Sequence, residues 1–123
     1  MKPNLRLVSL KVENLQRMRD FYEDLLDPEL HEEESGRLIE YDFNGVLFGL
    51  YNPEADFEEP EKIDRGNNIV PGFKVGKDFD KYRDILNEKE DVEILYEAEA
   101  EGHKWLVFTD PEDNRIEFYR GSV

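Results

Sequence analysis

The sequence predicts an α+β chain made of two copies of one module, each a strand, a helix and three further strands (βαβββ). Three observations carry that expectation. The front of the chain switches from a period of two to a helical period within twenty residues. Turn signals then divide the next stretch into three short strands. After an acidic, proline-broken interval the same order returns.

The first strand is read at Leu5–Val12, where Leu7, Ser9 and Lys11 share one face and Val8, Leu10 and Val12 the other. Asn14 is a helix cap by type. Leu15, Met18, Phe21, Tyr22, Leu25 and Leu26 fall on one helical stripe, and Pro28 marks the stop. Strands are expected near Glu29–Glu34, Arg37–Phe43 and Val46–Asn52, punctuated by Ser35-Gly36 and Asn44-Gly45. Asn-Gly between apolar runs is a strong hairpin signal.

Pro53–Asn68 carries Glu54, Asp56, Glu58, Glu59, Glu61 and Asp64, with Pro53 and Pro60. It is too polar for a core element and reads as a linker. The expected organisation is residues 1–52 as the first module, 53–68 as the acidic linker and 69–123 as the second module, together one domain.

In the second copy a strand over Asn68–Val75 matches Phe73-Lys74-Val75 to Leu10-Lys11-Val12. Asp78 is the expected cap of a helix carrying Phe79, Tyr82, Ile85 and Leu86 on one stripe. Val92–Tyr96 is a strand, and a closing hairpin spans Gly102–Arg120. Its turn is Asp110-Pro111-Glu112-Asp113-Asn114; Pro111 presets one backbone angle, and Asp113 and Asn114 tolerate the left-handed one. In its last strand Arg115, Glu117 and Tyr119 alternate with Ile116, Phe118 and Arg120. One module has a single helix for one sheet face, so the other face needs a partner.

Composition narrows the function. Sixteen basic against thirty-one acidic residues leave a net charge of −15. Nucleic acid and anionic membrane are disfavoured, since each needs a basic patch. A cationic small-molecule ligand is compatible. The absence of cysteine excludes a disulfide framework, a thiol nucleophile and a cysteine metal site. The start, MKPNLRLVSLKV, lacks a signal-peptide pattern, and no apolar run reaches spanning length, so the expected location is the cytoplasm. A chain of this size buries roughly two-thirds of its unfolded surface. With 38% hydrophobic residues that core is lean, and a homodimer would help it. No phosphate-cradling glycine loop or zinc-finger spacing is present, and Ser9 has no accompanying His-Asp pattern.

LRLVSLKVENLQRMRDFYEDLL at the front and FTDPEDNRIEFYR at the back resemble the glyoxalase / bleomycin-resistance / extradiol-dioxygenase superfamily, the vicinal-oxygen-chelate fold. With the repeat, the resemblance covers most of the chain. It implies two βαβββ modules whose mixed sheets curl into a cup. One departure is Asp113, where the family usually has glycine. Enzymes of the family hold a divalent metal with ligands on the first and last strand of each module, which polarises two substrate oxygens. Carried over, those seats fall on Leu7, Gly49, Val70 and Glu117. Leucine, glycine and valine donate no lone pair, and one carboxylate does not hold a catalytic cation tightly. His31 and His103 fall off the matching positions. The expectation is therefore no metal and no cofactor.

Under the same resemblance the cup is lined by Lys11, Tyr51, Lys74, Arg115, Glu117 and Tyr119, the expected ligand-binding set. Glu117 is the only candidate for a catalytic role, as a general base. Alternatively it pairs with Lys11, Lys74 or Arg115 and closes the cup. Trp105 reads as core or dimer interface. The leading functional expectation is a small-organic-ligand-binding protein similar to the bleomycin-resistance branch. The others are a lyase, isomerase or dioxygenase using Glu117 as base or metal ligand, and a dimeric scaffold with a closed cup.

Overall fold

The computed structural model describes residues 2–52 and 69–121. The expected acidic linker lies outside the described residues. The chain divides into two compact units, the boundary falling between Asp64 and Arg65.

The first unit runs β1 (Leu7–Lys11), α1 (Leu15–Leu26), β2 (Glu29–Glu34), β3 (Leu38–Phe43) and β4 (Val46–Tyr51). Its sheet order is β1-β4-β3-β2, with β1 parallel to β4 and the other pairs antiparallel. The helix starts where Asn14, in extended conformation, accepts a hydrogen bond from the Arg17 N–H at 3.0 Å. It stops where Asp27 turns left-handed (φ 45°) and returns its N–H to the Glu23 carbonyl. Met18, Phe21, Tyr22 and Leu25 of the expected stripe are buried. They pack on Ile39, Tyr41, Phe48 and Leu50, the alternate residues of β3 and β4. The Tyr22 ring stands edge-on to Phe21 and Phe48 at 4.9 and 5.1 Å. At the β3–β4 hairpin Asn44 and Gly45 both have positive φ, as a type I′ turn requires.

The second unit runs β5 (Gly72–Lys74), a 3₁₀ turn (Gly76–Asp78), α2 (Phe79–Glu88), β6 (Glu93–Ala100), β7 (His103–Thr109) and β8 (Arg115–Arg120). Its order, β5-β8-β7-β6 with β5 parallel to β8, repeats the first. Phe118 is its centre, edge-on to Phe73, Tyr82 and Phe108. Phe79, Leu86, Leu106 and Ile116 complete the helix-facing layer.

The duplication extends to side chains. Arg19 on α1 reaches Glu33 on β2 at 2.6 Å, and Arg83 on α2 reaches Glu97 on β6 at 3.4 Å, each fourteen residues on. Both pairs tie a helix to the outer strand of its own sheet.

Two local expectations are corrected. The strand expected over Asn68–Val75 is reduced to Gly72–Lys74. Pro71 has no N–H to give a ladder; only its carbonyl is used, accepting from the Glu117 N–H. Asp78 does not cap α2 with its side chain, because its backbone (φ −89°, ψ 9°) is not in the extended cap conformation; the chain enters through the 3₁₀ turn, which starts at Gly76 (φ 56°). In the other direction, the strand expected over Val92–Tyr96 continues to Ala100.

Candidate functional site

The site is built on β8, and the turn before it sets its direction. Asp110, 1% exposed, accepts hydrogen bonds from the N–H groups of Glu112 and Asn114 and from Asn114 Nδ2, each at 2.9 Å. This is a carboxylate closing an Asx-type turn on three donors. Asp113 is the residue that takes the left-handed angle (φ 65°). From there β8 alternates: Ile116 and Phe118 enter the core under α2, so Arg115, Glu117 and Tyr119 are left on the opposite face.

Glu117 is flanked by Gly72 on β5 and Val107 on β7. A Cβ on Gly72 would meet Glu117 Oε2 at 3.1 Å and the Tyr119 ring at 3.7 Å. The glycine thus gives the carboxylate room to lie over the neighbouring strand. Glu117 is half-buried, and its carboxylate makes no hydrogen bond or ion pair among the described residues. The alternative pairing of Glu117 with Lys74 or Arg115 is therefore not formed.

Beside it is a cavity of about 400 Å³ lined by Ala100, Glu101, His103, Lys104, Trp105, Glu117, Tyr119 and Arg120. That volume is in the range of small-molecule sites. Trp105 and Tyr119 are direct cross-strand partners, so two aromatic side chains stand next to the carboxylate. Lys104 has its ammonium 3.1 Å from Asp80 and over the Phe79 ring, on the helix side of the sheet. The hydrogen bond from Lys104 holds the Asp80 carboxyl below its ordinary pKa.

Of the six expected ligand-binding residues, Glu117 and Tyr119 line this cavity; Lys74 and Arg115 do not. Lys74 is exposed at the end of β5, opposite Tyr119. Lys11 and Tyr51 belong to the first unit, where they are partners across β1 and β4, with the Arg37 guanidinium 5.8 Å above the Tyr51 ring. Trp105, expected as core or interface, is on the cavity wall. Together with His103 and Ala100 it is what sequence reasoning missed. The available signal was register: folding Trp105–Phe108 back through the five-residue turn sets Trp105 opposite Tyr119, on the Glu117 face.

No family model matches the chain. Solved structures do. A fosfomycin resistance protein, FosX, from Listeria monocytogenes superposes with a TM-score of 0.78 at 15% identity, covering 100% of this chain and 97% of that one. Lactoylglutathione lyase from Agrobacterium tumefaciens gives 0.71 at 17%, covering 98% and 95%. A glyoxalase/bleomycin resistance protein/dioxygenase family enzyme from Burkholderia phytofirmans gives 0.73 at 18%, covering 96% and 98%. The fold is the vicinal-oxygen-chelate fold.

The metal seats expected for that fold are divided between the two units. In the first, β1 and β4 pair Leu7 with Leu47 and Ser9 with Gly49. In the second, Gly72 pairs with Glu117, the same relation as Ser9 with Gly49, so Gly49 and Glu117 are equivalent positions. Leu7, Gly49 and Val70 carry no donor atom, and Glu117 alone does. These residues do not fit the four-ligand centre that the vicinal-oxygen-chelate fold implies.

Proposed function

We propose that this is a glyoxalase/bleomycin-resistance-like binding protein that holds a small organic molecule against Glu117 without a catalytic metal or other cofactor. The supporting observation is a half-buried carboxylate with no ion pair among the described residues, beside Trp105 and Tyr119, on a cavity of about 400 Å³. A carboxylate next to aromatic faces suits an organic cation, whose charge both groups attract. The net charge of −15 favours the same sign of ligand. Lys104 is engaged by Asp80 and competes little for Glu117.

In this reading the protein is a cytoplasmic homodimer. The two modules, joined by the 53–68 linker, form one domain, and neither nucleic acid nor membrane is a partner. Among the described residues no helix is long and apolar enough to cross a membrane.

The test is a thermal-shift screen with aromatic amines, cationic glycopeptides and thiol conjugates, followed by titration of Glu117→Gln. Saturable stabilisation by a cationic compound, lost in the variant, supports the reading. Stabilisation by none, or an unchanged affinity in Glu117→Gln, overturns it.

A second reading, a lyase or isomerase with Glu117 as general base, is favoured by the likeness to lactoylglutathione lyase. Turnover that Glu117→Gln abolishes would select it. A scaffold with a closed sheet face is disfavoured by the cavity.

A further inference from the structure

Each sheet contains a row of directly paired residues that crosses all four strands. In the second unit the row is Gly72, Glu117, Val107 and Tyr96. In the first it is Ser9, Gly49, Glu40 and Glu32. Both rows end at a β-bulge. The register skips His31 between Leu30 and Glu32, and Leu95 between Ile94 and Tyr96. A bulge sets two consecutive residues against one partner and re-aims their side chains. In the first unit those residues are His31 and Glu32, facing Glu40. One ligand atom from each lies within 4.8 Å of the other two.

The neighbouring acids are paired: Glu33 with Arg19, and Glu34 with Arg37. The side chains of His31, Glu32 and Glu40 make no hydrogen bond or ion pair among the described residues. The fold does not demand such residues here, because the same bulge in the second unit carries Leu95 and Tyr96 opposite Val107. Gly49 adds room on the row. A Cβ there would lie 3.6 Å from Glu40 Cγ, so Glu40 leans across the glycine.

We propose that His31, Glu32 and Glu40 form a divalent transition-metal site on the β2–β3 hairpin, apart from the seats at Leu7, Gly49, Val70 and Glu117. One imidazole nitrogen and two carboxylate oxygens form a mixed set suited to zinc, nickel or cobalt, with the remaining positions left to water or an exogenous ligand. The site does not depend on the Glu117 cavity, and its test is separate from that of the cavity.

The experiment strips the full chain with chelator and titrates it with Zn²⁺ by calorimetry. The expected result is one ion per chain at micromolar affinity, weakened roughly tenfold or more by either His31→Ala or Glu40→Gln. Both residues are outside the buried core, and circular dichroism checks that the variants fold. Co²⁺ supplies a second readout, with paramagnetic broadening of amide signals centred on β2 and β3. Absence of saturable binding, binding that both variants retain, or broadening centred elsewhere overturns the proposal.

Discussion

Gly72 and Glu117 sit side by side on parallel strands, and a methyl group on the first would come within 3.1 Å of a carboxylate oxygen of the second. Gly72 has no positive φ, so alanine is compatible with its backbone. Gly72→Ala should therefore push the Glu117 carboxylate aside while changing stability by no more than about 1 kcal/mol. The Glu117 side-chain carboxyl shift in carbon-detected NMR should move. Affinity for any cation found by the thermal-shift screen should fall. An unmoved carboxyl signal would mean that the glycine has another purpose.

Asp110 anchors the turn that directs β8. Asp110→Ala would remove the acceptor for three donors at a position 1% exposed. The expected cost is about 2–3 kcal/mol, the scale of losing hydrogen bonds to a buried charged group. Urea unfolding of the variant measures it. Asp110→Asn should recover part of the loss, since the amide oxygen still accepts.

Asp113→Gly should work the other way. Asp113 holds φ 65°, which a side chain tolerates at a cost and glycine adopts freely. A gain of roughly 0.5–1 kcal/mol in unfolding free energy is expected. A loss would mean that the Asp113 carboxylate itself stabilises the turn.

The Tyr41–Glu23 hydrogen bond, 2.9 Å, makes stability depend on pH at both extremes. For Glu23, burial alone would raise the pKa, but hydrogen bonds from Arg19 and Tyr41 hold it below the ordinary value. Its contribution is present above about pH 4.3, the unfolded value, and is lost as pH falls through the lower folded value. For Tyr41, burial first and the bond to Glu23 second push the pKa up. Its contribution is complete below about pH 10 and is lost as pH rises through the folded value. The urea midpoint should fall at each end. Tyr41→Phe should flatten the alkaline fall and cost about 1 kcal/mol at neutral pH.

Much of this architecture was legible because local signals agreed with one another. Asn14, the Met18–Leu25 stripe and Asn44-Gly45 each specify their conformation by short-range chemistry, and the structure follows all three. Asp78 failed as a cap because Gly76 offered a left-handed entry that side-chain type does not reveal. The short β5 reflects Pro71, whose missing N–H outweighs the β-favouring Ile69 and Val70.

The site was only half legible. Glu117 and Tyr119 follow from alternation within one strand. Trp105 and His103 join them through register across two strands, which the five-residue turn between β7 and β8 fixes. His31 misses the first- and last-strand seats of the fold, so the sequence pattern does not mark it. Its proximity to Glu40 depends on a skipped residue in the ladder, and no spacing rule in the sequence records that skip.

The paired reach of Arg19 to Glu33 and of Arg83 to Glu97 has a consequence for how damage spreads. Each half carries its own latch between helix and sheet edge, so neither borrows the other's to stay shut. Substituting Arg83 should loosen only the half that bears Glu117, leaving the half with His31 clasped.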